Sequence, residues 1–323
     1  VNFLLEQTLP IAEQTGVSVR VVTDPAPALE LRYGSGLVRH LTHSWPDINP
    51  AAAARAAAVK AWSLHFLKDA GYRVPDFACF GKQSWAATQL PGRDEAAAIA
   101  FADALGYPVV VKPCNLSYSA GVHLVASADE LRKILSEVTA QDPMFLVQRY
   151  VEGREYRVVV LDGQVELVFE RSPVMVRGDG RRTLGALLEA HLAALRAQGH
   201  EAEITADDSR IASYLRATGR SRDEVPATGD EVRVSLAAGL IAGGEVAEAE
   251  EFPAGLQPEM LAIAREAGLR YAGIDVIVNA EGAHVIEINA YPGNGGYAAL
   301  GPEALARVQG LTRRLVEAMG SAT

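Results

Sequence analysis

The chain has 323 residues, of which 49% are apolar, 22% charged and 7% aromatic, a mixture that builds a packed core and excludes a disordered or fibrous polymer. Forty acidic against thirty basic residues give a net charge of −10, which argues against general nucleic-acid binding; any anionic ligand must be met by locally gathered cations and backbone amides. Two cysteines, Cys79 and Cys114, are too few for a disulfide framework, no apolar run nears the roughly 18 residues of a membrane helix, and no basic-then-apolar leader opens the chain; the expectation is a cytoplasmic protein with no membrane partner.

In chain order, the first residues predict a short helix ending at Gly16, and VSVRVVT (17–23) alternates as a strand does. Residues 27–50 read as loop and short strand. Residues 51–71 are rich in helix formers and predict one helix with a Gly stop, after which Tyr72 to Pro75 are extended. A helix over 94–106 precedes the buried strand YPVVVKP (107–113), a Ser/Gly loop (114–121) and a second strand, VHLV (122–125). Ser127 caps a helix over 127–140, with Glu130 at the capping-box position. MFLVQRYV (144–151) is again strand, and REYRVVVLDGQVELVFER (154–171) is a hairpin turning at Asp162-Gly163. A turn at 178–182 leads into an amphipathic helix over 183–199, and residues 200–230 are polar and irregular. A helix over about 257–271 precedes a second hairpin (273–289), the loop YPGNGGY and a terminal helix. The order is mixed α+β with antiparallel hairpins, and no internal repeat is present.

Two features point to chemistry rather than packing. Glu287 and Asn289 in EIN (287–289) share one face of a strand, with Ile286 and Ile288 on the opposite, buried face, and Asp275 lies on the partner strand within about one residue of Glu287. Two carboxylates and an amide oxygen suit a hard cation such as Mg²⁺, especially when phosphate oxygens complete its shell. The second feature is Lys112, which ends the apolar run VVV and is costly there unless an anion faces it. The loop that follows carries Ser117, Ser119 and Gly121 and can wrap donors around phosphate oxygens. No GxxxxGK[ST] or strand-borne GxGxxG occurs, so neither a P-loop nor a dinucleotide site has support.

Taken together these segments resemble the ATP-grasp superfamily, and within it the branch of cyanophycin synthetase and the bifunctional glutathione synthetases, from about Leu29 to the last residue. LRYGSGLVRHL (31–41), KAWSLHFLKDAGYRVP (60–75), GYPVVVKP (106–113), LVQRYVEGREYRVVVLDG (146–163), RSPVMVRGDGRRTLGALL (171–188) and the pair GIDVIV and VIEIN occur in the family's order. The resemblance implies an α+β ATP-grasp fold, in which two α+β subdomains clasp ATP: a short pre-grasp segment (1–50), then the grasp domain (51–323), with a lid at about 78–147 and a metal-binding part at about 152–323. Lys60 and Lys112 would hold the triphosphate, the backbone of Gln148, Arg149, Tyr150 and Val151 the adenine edge, and Glu155 the ribose hydroxyls. Arg157 would lie near the triphosphate, and Asp275, Glu287 and Asn289 would ligate Mg²⁺, two ions being expected and Mn²⁺ an alternative.

The activity implied is ADP-forming ligation of a carboxylate to an amine through an acyl phosphate, on amino acids or a short peptide. In that reaction Lys60 and Lys112, with Mg²⁺, would neutralise the spreading negative charge, and Arg157 and Arg171 are candidates to bind the substrate carboxylate or the developing oxyanion. The loop over LSYSAG (116–121) has fewer glycines than the family's phosphate loop, and AGLIAGG (238–244) has Gly239 where an asparagine is usual, so the substrate is expected to differ from that of cyanophycin synthetase. The N-terminal region reads as too short for the extra domain of the cyanophycin enzymes, which suggests a stand-alone module, with a homodimer possible. The loop 114–121 and part of 200–230 are expected to be mobile without nucleotide. A phosphotransferase that releases a phosphorylated product, or a nucleotide-binding protein without chemistry, would share the same motifs.

Overall fold

The computed structural model describes residues 3–24, 26–117, 119–199 and 204–321; of the two loops expected to move, Tyr118 and residues 200–203 lie outside this set. Every strand pairing among the described residues is antiparallel, and the strands form three sheets. The first sheet follows α1 (Phe3–Gln14) and runs in order β1 (Ser18–Val22), β2 (Ala28–Arg32), β3 (Val38–Thr42), β4 (Trp45–Pro46). Residues 27–50 are thus more regular than their sequence implies. Leu29, Leu31 and Leu41 supply the buried face, which packs with α1 against the last helix.

The single helix expected over 51–71 is two, α2 (Ala51–Ala58) and α3 (Lys60–Asp69). Val59 between them is fully buried and extended (φ −104°, ψ 101°), and the Lys60 N–H donates to Cys114 O at 3.1 Å. A tertiary bond thus takes the place of helix continuation, and Lys60 becomes the first residue of a helix aimed across the molecule. The second sheet has the order β5 (Phe77–Gly81), β8 (Met144–Arg149), β6 (Val109–Pro113), β7 (His123–Val125). Helix α4 (Gln83–Gln89) follows β5, while α5 (Glu95–Leu105) and α6 (Ala128–Gln141) cover the sheet through Ala98, Ala102, Leu131 and Val138. Ser127 Oγ accepts from Glu130 N at 3.3 Å, and Glu130 reaches back to Ala126 N at 2.9 Å, one residue before the usual capping-box donor.

The third sheet runs β11 (Glu231–Ala238), β10 (Gln164–Arg177), β9 (Arg154–Leu161), β13 (Tyr271–Asn279), β14 (Gly282–Asn289), with β12 (Glu245–Glu248) also paired to β10. The β9–β10 turn is made by Asp162 and Gly163, at φ +46° and +75°, as an Asp-Gly hairpin requires. Strand β10 continues past Arg171 to Arg177 because β11 pairs with the extension. Residues 200–230 contain a helix the polar sequence concealed, α8 (Ser209–Ala217), capped by Asp208, whose side chain accepts from Arg210 N. It buries Ile211, Tyr214 and Leu215, and Ile211 and Leu215 join the core beneath α7 (Leu184–Ala197). Helix α9 (Gln257–Glu266) stops short of residue 271, where Gly268 at φ +67° turns the chain into β13. Helices α10 (Gly295–Ala298) and α11 (Pro302–Gly320) complete the chain.

Asn49 joins the first sheet to the third. Its Nδ2 donates to Tyr271 O (2.8 Å) and Ala290 O (2.9 Å), and its Oδ1 accepts from the N–H groups of Arg270 and Tyr271, both at 2.9 Å. Replacing it by alanine strands four backbone groups at the start of β13 and after β14. Asn49→Ala should lower the unfolding free energy by about 3 kcal/mol in urea titrations, and a loss below about 0.5 kcal/mol would show that the tie is dispensable.

Candidate active site

Strand register gathers the polar residues of the third sheet. Arg157 on β9 lies opposite Asp275 on β13, and Asp275 lies opposite Glu287 on β14. Opposed residues share a face, as do residues two apart, so Glu155, Arg157, Asp275, Glu287 and Asn289 project from one side. Arg171, opposite Glu155 on β10, completes the row. Tyr156, Val158, Ile274, Val276 and Ile288 fill the other side and pack beneath α9.

Asp275 is 3% exposed and sits between two guanidiniums. It accepts from Arg157 Nε, from Arg157 Nη2 at 2.7 Å and from Arg171 Nη1 at 3.1 Å. Burial alone would raise its pKa, but Arg157 and Arg171 outweigh burial and hold the carboxyl below the ordinary range. Arg171 also donates to Ala238 O at 2.9 Å and lies 3.4 Å from Glu155, whose carboxyl is pushed up by burial despite that guanidinium. Two glycines make room for these arginines. A Cβ on Gly273 would come within 2.6 Å of Pro292 Cβ and 3.1 Å of Arg157 Cδ, and Gly239, at φ +91°, lies against Arg171.

Both candidate lysines are buried and converge on β14. Lys60 Nζ donates to Leu116 O and lies 3.5 Å from Glu287 Oε1. Lys112 Nζ donates to Ile286 O at 3.2 Å. The register slips between Asp275 and Val276, leaving Ile286 as an extra residue on β14. This bulge corrects one expectation: Ile288 is fully buried, but Ile286 lines the cavity instead of sharing that core face. Burial lowers the Lys112 pKa to about 8, with Glu287 opposing that shift and Lys60 adding to it.

These groups line a cavity of about 210 Å³. Lys60, Lys112, Ser119, Gln148, Arg149, Tyr150, Val151, Glu155, Arg171, Asp275 and Glu287 all contribute to it. Ser117, Gly121, Arg157 and Asn289 are not part of its lining; Gly121, at φ +66°, packs over Pro113, and Asn289 Nδ2 lies 3.5 Å from Asp275 Oδ2. Gln148 is 3% exposed, and its Nε2 has no partner. A buried donor beside an open cavity is the arrangement that a ligand acceptor atom, such as a nucleobase ring nitrogen, satisfies. Among the described residues no cluster of three or more His, Cys, Asp or Glu side chains could hold a metal ion. Asp275, Glu287 and the Asn289 amide oxygen are nonetheless hard donors suited to Mg²⁺ when phosphate oxygens supply the other positions. Sequence reading missed Arg233, which also lines the cavity, donates to Ser235 O and Leu236 O, and lies over the Tyr214 ring at 5.2 Å. An arginine inside the alternating run EVRVSL was the available signal.

A second cavity, of about 360 Å³, shares Ser119, Arg171 and Ala238 with the first and also includes Arg157. The loop after β14 supplies much of its wall, and Tyr291 of that loop stacks on Trp45 at 5.3 Å.

The arrangement of sheets and helices is an ATP-grasp fold. A family model described as the D-ala D-ala ligase C-terminus matches residues 66–179. The chain is 29% identical over 204 residues to a cyanophycin synthetase from Trichormus variabilis, and 28% identical over 177 residues to a glutathione biosynthesis bifunctional protein from Streptococcus thermophilus. These matches cover 58% and 53% of this chain but only 22% and 24% of the relatives, so the chain spans about a quarter of their length. Among solved structures, a bifunctional glutathione synthetase from Pasteurella multocida aligns over 92% of this chain and 41% of its own (TM-score 0.52, 20% identity). A D-alanine–D-alanine ligase from Bacillus anthracis aligns over 84% of this chain and 68% of its own (TM-score 0.51, 19% identity). No helix among the described residues is long and apolar enough to cross a membrane.

Lys112 provides a test of the site's electrostatics. A lysine whose folded pKa lies near 8, below its unfolded value of about 10.4, opposes folding fully below pH 8, and that penalty fades between 8 and 10.4. Lys112→Met should therefore raise the unfolding free energy at pH 7 by about 3 kcal/mol, and the gain should shrink at pH 9.5. A gain independent of pH would mean that Lys112 is not held as a desolvated cation.

Proposed function

We propose that the chain is an ATP-dependent, ADP-forming carboxylate–amine ligase. The observation that carries this reading is the junction of two cavities at Arg171, on a sheet face that also bears Arg157, Asp275 and Glu287 and is approached by Lys60 and Lys112. ATP would occupy the smaller cavity, with the adenine against the Gln148–Val151 backbone and the Gln148 amide, and the ribose hydroxyls on Glu155. Lys60 and Lys112 would bind the triphosphate. Mg²⁺, held by Asp275, Glu287 and Asn289, would offset charge on the phosphate oxygens, and Asp275 would then share its oxygens between the ion and the arginines.

The acid substrate would present its carboxylate where the cavities meet. The carboxylate oxygen attacks the γ-phosphorus, the bond to the β,γ-bridging oxygen breaks, and an acyl phosphate and ADP result. An amine then attacks the acyl carbon, phosphate leaves, and the amine's proton is lost. Arg157 and Arg171, whose guanidiniums also donate to Asp275, would bind the carboxylate and then the oxyanion through their remaining N–H groups. Lys112, in a low-dielectric site, attracts an anion more strongly than a solvated lysine does. The segment at about 78–147 would act as the lid that keeps water from the acyl phosphate.

The reading is tested by incubating the protein with ATP, Mg²⁺ and pairs of amino acids, with ADP, free phosphate and product mass measured. A condensed product formed with one ADP and one phosphate per bond is expected. ADP release that yields a stable phosphorylated acid, unchanged by any amine, would point to phosphotransfer instead. Lys112→Gln and Glu287→Gln should each reduce ADP formation by about 100-fold or more while leaving the circular dichroism spectrum intact.

A further inference from the structure

The second cavity differs from the first in its charge. Arg157 and Arg171 sit at the end it shares with the smaller cavity, and among the described residues no acidic or lysine side chain lines it. Elsewhere its wall is apolar, glycine, hydroxyl or amide. Leu240 and Val246 face Gly296 closely enough that a Cβ on that glycine would lie 3.6 and 3.5 Å from their methyl carbons. The glycine's missing side chain is therefore part of the empty volume, and these three residues limit what fits there. Phe169, stacked on Tyr297 at 5.3 Å, adds an aromatic wall.

Asn294 makes a second, independent mark. It is 7% exposed, its Nδ2 donates to Tyr271 Oη at 3.0 Å, and its Oδ1 has no hydrogen-bond partner. Asn294 is one of the residues that line the open cavity, and a buried amide oxygen left unpaired costs about 1–3 kcal/mol. The group that satisfies it is an N–H donor on a ligand. Guanidiniums at one end, an unpartnered amide oxygen within a lining residue and apolar surface between them match an α-amino acid whose side chain is uncharged.

We propose that this cavity binds the acid substrate as an amino acid with a compact apolar side chain, its carboxylate on Arg157 and Arg171 and its amino group on Asn294 Oδ1, with Leu240, Val246 and Gly296 setting the size of the side chain. This rests on the ligase reading for the fate of the carboxylate, but the binding preference does not depend on turnover. A cationic side chain finds no carboxylate on this wall. An anionic one competes with the substrate's own carboxylate for the arginines. Either one loses hydration without a new partner.

The test pairs two measurements on the full chain. Calorimetric titration with alanine, leucine, aspartate and arginine, without nucleotide, reads the cavity; ADP release with ATP, Mg²⁺ and the same amino acids reads the chemistry. Alanine or leucine should bind at least tenfold more tightly than aspartate or arginine. Gly296→Val, checked for an unchanged unfolding transition, should weaken leucine at least tenfold and alanine less, and Asn294→Leu should weaken both. Equal affinity for charged and apolar amino acids, or no binding of any, overturns the proposal even if ADP is released. The expected preference with no ADP from any combination leaves the cavity assignment standing and overturns the ligase reading.

Discussion

A single carboxylate holds the site together. Asp275 is almost fully buried, and both of its oxygens are taken by Arg157 and Arg171. Removing a charge from water costs several kcal/mol, roughly, even after relaxation, so none of the three groups is stable in this position without the others. The arrangement is weak evidence for stability, since an apolar trio of similar volume often does as well. What it provides is placement: two guanidiniums fixed on β9 and β10, at the seam between two cavities, with Gly273 and Gly239 leaving them room.

The lysines reach that seam through two departures from regular structure. Interruption of the helix at Val59 puts Lys60 in the first turn of α3, where the helix dipole disfavours a cation; Leu116 O and Glu287 offset that cost. The bulge in β14 supplies the Ile286 carbonyl to Lys112, a donor with few other partners at the end of a buried strand. Without either irregularity the sheet and helix would be more regular, and the two ammonium groups would not meet over Glu287.

Much of the framework was legible because local chemistry decides it. Asp162-Gly163 sets a hairpin whatever surrounds it, Ser127 and Glu130 mark a helix start, and the spacing of Asp275, Glu287 and Asn289 follows from strand alternation. The misreadings lie where tertiary contacts decide. The run AAAARAAAVKAWSLHFLKD favours helix throughout, and only the Lys60 N–H bond to Cys114 O breaks it. Helix α8 is hidden among polar residues because its apolar face, Ile211, Tyr214 and Leu215, acquires meaning only against strands distant in sequence. The place of Ile286 could not be read at all, since a bulge is a property of two strands and not of one.

Several local rules are broken together around the two cavities. A lysine opens a helix, another ends an apolar strand, two arginines stand on a largely buried sheet face, and Gln148 and Asn294 each leave a buried polar atom without a partner. Such violations scattered through a fold would indicate poor packing. Here the two lysines, the two arginines, Gln148 and Asn294 gather at two adjoining cavities, although Tyr107, His123, Arg222 and His284 also leave buried polar atoms unpartnered away from them. A chain in which local and global preferences mostly agree departs from them where binding sets the requirement. The two cavities also differ in chemistry: lysines, carboxylates and Gln148 line the smaller one, whereas Asn294 and largely uncharged walls, with two arginines at one end, line the larger one. That asymmetry is what a ligase would need in order to hold a polyanion beside an acid substrate whose side chain is uncharged.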